Sequence, residues 1–135
     1  MRAQRTDSNE SVGAAIYPTD TQRVLKLTLP AGNYRLSSKV LIGPSPTAED
    51  LQIEMYCRLE GPNSIVDRAE VRLTSPRPVM TIPLEGVIQL DNQGTVELDC
   101  TNYTGSNNLP ALVVFAQNAV LTALVVGNVN VQQSP

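Results

Sequence analysis

Histidine and tryptophan are absent from this chain, and phenylalanine occurs once. Without histidine the commonest general base and the commonest metal ligand are missing, and no Ser-His or Cys-His nucleophile can be assembled. The two cysteines cannot close a four-ligand zinc site of the usual kind without histidine partners. An enzyme built from this chain would have to rely on a carboxylate pair, so a non-enzymatic protein without metal or cofactor is expected. No apolar run approaches the ~18 residues of a membrane-spanning helix, and no membrane insertion is expected. The opening MRAQRTDSNE has no apolar stretch of the kind a secretory leader carries. Basic residues are scattered: ten Lys and Arg stand against thirteen Asp and Glu, for a net charge of −3. A duplex binder needs clustered cations to displace phosphate counterions, so nucleic acid is not an expected partner. No long segment has a 3.6-residue apolar period.

What the sequence has is alternation. In LQIEMYCRLE, Leu51, Ile53, Met55, Cys57 and Leu59 share one phase, and Gln52, Glu54, Tyr56, Arg58 and Glu60 the other. A helix would mix these sets, whereas a half-buried strand separates them. The same pattern places Leu25, Leu27 and Leu29 together. It also groups Tyr34, Leu36, Ser38, Val40 and Ile42, and then Val96, Leu98 and Cys100. Ile65, Ala69, Val71 and Leu73 form a further inward set, with Asp67 as its misfit. The segment 79–90 reads as a bent strand or two short ones, because Pro83 lacks a donor and Gly86 invites a bulge. Turn-type punctuation separates these runs at 29–33, 43–50, 60–63, 74–78, 90–94 and 103–110. About eight to ten strands at this spacing predict an all-β fold: a two-sheet antiparallel β-sandwich of jelly-roll type. Its 135 residues suit one domain. Residues 1–11 are expected to be a flexible N-terminal arm, and 12–135 a single β-sandwich domain.

One stretch breaks the alternation. Residues 111–126 are apolar in both phases. Leu121, Ala123 and Val125 fall on one face, expected to be inward. Leu112 and Val114, before the Gln117-Asn118 pair, and Val120, Leu124 and Val126 after it, fall on the other. Exposed together, they would make a patch of a few hundred Å2, the size that usually marks a contact site. Covering each is worth ~1.5–3 kcal/mol. Leu112, Val114, Val120, Leu124 and Val126 are therefore the expected oligomer interface, with another copy of the chain as the partner. A segment of the same chain crossing that face, such as the N-terminal arm, is the alternative.

The turn-into-strand element Pro30-x-Gly32-x-Tyr34 and the small-and-aliphatic stretch Leu121 to Val129 resemble the C1q/TNF-like jelly-roll domains of bacterial or phage type. The strand order fits over most of the chain from Val12 onward. That resemblance implies a compact homotrimer with the closing strand near the threefold axis.

Cys57 and Cys100 both fall on the inward phase. A disulfide between them would close a loop of roughly 44 residues and contribute ~4 kcal/mol on the chain-entropy estimate. Two buried free thiols fit the pattern equally well. LDNQG at 90–94 superficially suggests calcium, but no Glu closes the loop at the required distance, and a plain hairpin turn is favoured. Asn9-Glu10-Ser11 and Asn102-Tyr103-Thr104 match the glycosylation pattern. Asn102, Tyr103, Asn107 and Asn108 form a candidate ligand loop, since aromatic rings beside amides can stack on sugars. The expected function is a self-associating structural or interaction module, presenting loops to a protein receptor or surface glycan. Its expected place is extracellular, on a cell surface or on a virion. A monomeric carbohydrate-binding sandwich and a viral capsid or tail component are the alternatives.

Overall fold

Alternation becomes two stacked sheets. The computed structural model describes residues 2–5, 14–16, 20–44, 52–74, 80–103 and 114–127. They form β1 (Arg2–Arg5), β2 (Ala14–Ile16), β3 (Asp20–Leu29), β4 (Gly32–Pro44), β5 (Gln52–Glu60), β6 (Ile65–Thr74), β7 (Met80–Leu90), β8 (Gly94–Asn102) and β9 (Val114–Val125). One sheet has the order β1-β9-β4-β7, with β2 also pairing β9, and the other the order β3-β8-β5-β6. All pairings are antiparallel. This interleaving of strands from the two halves of the chain is the jelly roll.

The inward phases meet between the sheets. Tyr34, Leu36, Ser38, Val40 and Ile42 of β4 are all buried, and so are Met55, Cys57 and Leu59 of β5. Val96, Leu98 and Cys100 of β8 join them. Ser38 keeps its place in the core by donating from Oγ to the Leu84 carbonyl at 3.4 Å. Cys57 and Cys100 are directly opposed across β5 and β8 and are joined by a disulfide. Tyr34 donates its hydroxyl to the Pro30 carbonyl at 2.8 Å. Gly32 lies between them at φ +156°, and a Cβ there would stand 3.3 Å from the Tyr34 hydroxyl oxygen. The element Pro30-x-Gly32-x-Tyr34 is thus a ring folded back over its own turn.

Four expectations change. The arm expected over residues 1–11 contains β1, which pairs with β9 from Arg2↔Thr122 to Arg5↔Ala119. Backbone hydrogen bonding at the open edge of β9 anchors it. Segment 80–90 is a single strand, because β7 is the edge of its sheet and an edge tolerates Pro83. Gly86 makes no bulge there. It is the point where Val66 Cγ1 crosses, and a Cβ would collide with it. Ile65 is 52% exposed rather than inward. The register shifts where Glu60 and Leu59 meet Ile65 and Asp67, so Val66 packs against the core instead. Asp67, the misfit, ties the sheets together: its Oδ2 accepts from the Glu85 backbone N–H at 3.0 Å.

The fourth change concerns β9. Between the pairs Leu41↔Gln117 and Lys39↔Val120, β9 holds two residues against one on β4, and Asn118 has φ 49°. This is a β-bulge. It reverses which phase points inward: Ala116 is buried before it, and Ala119, Leu121 and Ala123 after it. Much of the two-sided apolar character is one inward face read across a change of phase. Val125 was expected inward, but it is 79% exposed at the last position of the strand.

Leu121→Ala should therefore cost ~2–5 kcal/mol, while Val125→Lys should stay within about 0.5 kcal/mol of the parent, both read from urea unfolding midpoints. Replacing Cys57 and Cys100 together by alanine should cost ~2–4 kcal/mol in the same measurement.

Candidate functional site: the two outer faces

Each sheet presents one face outward, and the two faces differ in chemistry. On the β9-β4-β7 face, cross-strand rows run Leu124–Arg35–Val87, Thr122–Ser37–Glu85 and Val120–Lys39–Pro83. Leu124 is 58% exposed and Val87 is 48% exposed, while Val120 and Val126 are half-buried. A depression of about 250 Å3 lies among Arg35, Ser37, Glu85, Thr122 and Leu124. Arg35 approaches Glu85 at 4.0 Å, an exposed pair of little energetic weight. The expected continuous greasy surface is instead an aliphatic pair, Leu124 and Val87, set on either side of an arginine. Of the expected interface residues, Leu112 lies outside the described residues. Val114 opens β9 and pairs with Ile16 and Pro44. Val120 and Leu124 occupy the outward positions that the phase implied, and Val126 lies just past the end of β9.

The β3-β8-β5-β6 face is a lattice of ions. Arg72 meets Glu54 at 3.4 Å, Arg68 meets Glu70 at 2.8 Å, Arg23 meets Glu97 at 3.6 Å and Arg58 meets Asp99 at 4.0 Å. Tyr56 sits among them. The Arg68 guanidinium lies 4.2 Å from the centre of its ring, and the Tyr103 ring is 5.7 Å away at a 38° tilt. Tyr103 extends β8 by donating its backbone N–H to the Glu54 carbonyl at 2.9 Å, and its side chain is 38% exposed.

Within this lattice Glu60, Glu97 and Asp99 bring three carboxylates within 4.8 Å of one another. Glu60 and Glu97 are directly opposed, and Asp99 follows on the same face of β8. Oxygen donors of this type suit a hard cation. Here Arg58 and a proton compete for the same charge. Asp99 is 6% exposed. Burial, then a hydrogen bond and like charge from Glu60, push its pKa up to about 7, with Glu97 adding repulsion and Arg58 opposing it. Each of these acids is visible in the sequence as an outward residue. Their meeting depends on β5 pairing with β8, which no local pattern announces.

The ligand loop expected at Asn102, Tyr103, Asn107 and Asn108 divides. Asn107 and Asn108 lie outside the described residues. Asn102 is a correction: it is fully buried, and its Nδ2 donates to the Ile16 carbonyl at 3.0 Å, fastening β2 to the end of β8. A buried amide already engaged is closed to both ligand and glycosylation. Tyr103 alone of the described pair faces outward.

No protein-family model and no curated protein matches the sequence. The fold does have counterparts among solved structures. The chain is similar to the VP2 subviral particle of infectious bursal disease virus, with TM-score 0.59 and 11% identity over 93% of this chain and 32% of that one. It is also similar to the structure of infectious bursal disease virus Gt strain, with TM-score 0.56 and 11% identity over 93% of this chain and 33% of that one. The chain spans about a third of the length of each.

The raised Asp99 pKa has a definite sign. The folded state holds the Asp99 proton more tightly than the unfolded chain does. Its contribution to stability is present in acid and is lost as pH rises from about 4 to about 7, then levels off. Relative to Asp99→Asn, the parent should lose melting temperature between about pH 4 and about pH 7 in scanning calorimetry. Parallel curves for the two proteins would contradict this.

Proposed function

We propose that the chain is a structural building block of a particle shell or spike, a jelly roll that associates with copies of itself. One observation carries the reading: the two-sheet sandwich fold is similar, over 93% of the chain, to that of a subviral-particle protein. The outer face of β9-β4-β7 supports it. Leu124 and Val87 are exposed aliphatics held on rigid strands, with Arg35 and Glu85 between and beside them. Apolar anchors with interspersed charge are what a self-complementary contact uses: the aliphatics supply burial and the charges set orientation. The buried Cys57–Cys100 disulfide fits a virion or extracellular setting, where such bonds persist. The threefold closure implied by the resemblance to C1q/TNF-like domains is one form that association can take, and a larger shell is another.

Light scattering coupled to size-exclusion chromatography, with negative-stain microscopy, tests the reading. A mass that is a multiple of 14.6 kDa is expected, and Leu124→Lys with Val87→Lys should reduce it toward a single copy. A monodisperse single copy for the parent, or an oligomer indifferent to both substitutions, would overturn the proposal.

A further inference from the structure

The proposed assembly uses one outer face and leaves the tyrosines of the other unexplained. Tyr56 and Tyr103 are the aromatic residues on the outward side of β5 and β8. Tyr103 is exposed, yet it is not loosely held, because its N–H is bonded to Glu54 on β5. The Tyr103 ring stands beside the Tyr56 ring, over which the Arg68 guanidinium lies. On the strands beside it Arg72 meets Glu54 and Arg68 meets Glu70.

From this arrangement we infer that the Tyr103–Tyr56 platform is a carbohydrate-binding site for a neutral pyranose-containing glycan. The chemistry selects the class. An exposed aromatic ring on a rigid strand gives the apolar C–H face of a sugar a surface to stack on. The margins offer carboxylate acceptors and guanidinium donors, the two partners that vicinal hydroxyls require. Arg68 is paired with Glu70 and Arg72 with Glu54, so the patch carries little net charge. A phosphate- or sulfate-rich ligand would find its cations already neutralised. Apart from the two rings, the outward neighbours on β5 and β6 are Glu54, Arg58, Arg68, Glu70 and Arg72, which leaves no apolar centre for a large protein interface. The site lies on the sheet opposite Leu124 and Val87, so it is independent of the proposed self-association.

The test is an array of neutral, sialylated and sulfated glycans probed with the labelled full chain, followed by calorimetric titration with any neutral glycan that binds. Tyr103→Ala should weaken that binding at least about tenfold. Tyr103→Phe, which keeps the ring, should retain most of it, and Gln93→Ala, in the turn at the other end of the sandwich, should leave it unchanged. Circular dichroism matched to the parent, together with an unchanged oligomer mass, shows that Tyr103→Ala has not disturbed the fold or the assembly. The inference is overturned by an array without signal, by binding confined to sulfated or sialylated glycans and abolished by salt, or by neutral-glycan binding that survives Tyr103→Ala.

Discussion

A β-strand can turn only alternate side chains toward one neighbour, and this molecule is arranged around that restriction. Eight of the nine strands among the described residues, β2 to β9, commit their apolar phase to a single space between two sheets. Where the chain must depart from strict alternation, it does so at a bulge. The shift at Arg23/Leu25 lets Val24 into the core. The shift near Glu60 admits Val66 and turns Ile65 outward. The bulge at Asn118 is the most consequential, because it reverses the facing of β9, the strand paired on one side with β4 and on the other with β1 and β2.

The sandwich is also closed by specific polar contacts. Asp67 reaches from β6 to the Glu85 N–H of β7, and Asn102 reaches from β8 to the Ile16 carbonyl of β2. Both join strands of different sheets, which have no ladder of their own between them. Buried or bridging polar groups of this kind are tolerated only when paired, and the pairing specifies how one sheet sits on the other. The disulfide acts within one sheet, between the central strands β5 and β8.

The two outer faces differ in chemistry. One face sets aliphatic side chains among charges. The other distributes four arginines among acids so that few are without a counter-ion, and concentrates three carboxylates where Asp99 is most buried. The likeness to the two viral structures concerns fold.

The inward phases of β4, β5 and β8 were legible residue by residue, down to Ser38, because a period of two needs no knowledge of neighbours. The class of fold followed from the number and spacing of such strands. Pairing was not legible: which strand lies beside which is a long-range choice, and it alone brings Glu60, Glu97 and Asp99 together and sets Cys57 opposite Cys100. The phase of β9 before Asn118 was misread for a related reason. A bulge adds one residue without changing composition, and Asn118 looks like any polar residue until its backbone is seen to turn. Val125 and Asn102 show the same boundary in opposite directions. An aliphatic residue at a strand's end is left in water, while a loop-like amide is drawn fully inside. Local chemistry decided which residues could be buried, and only the stacking of one sheet on the other decided which of them were.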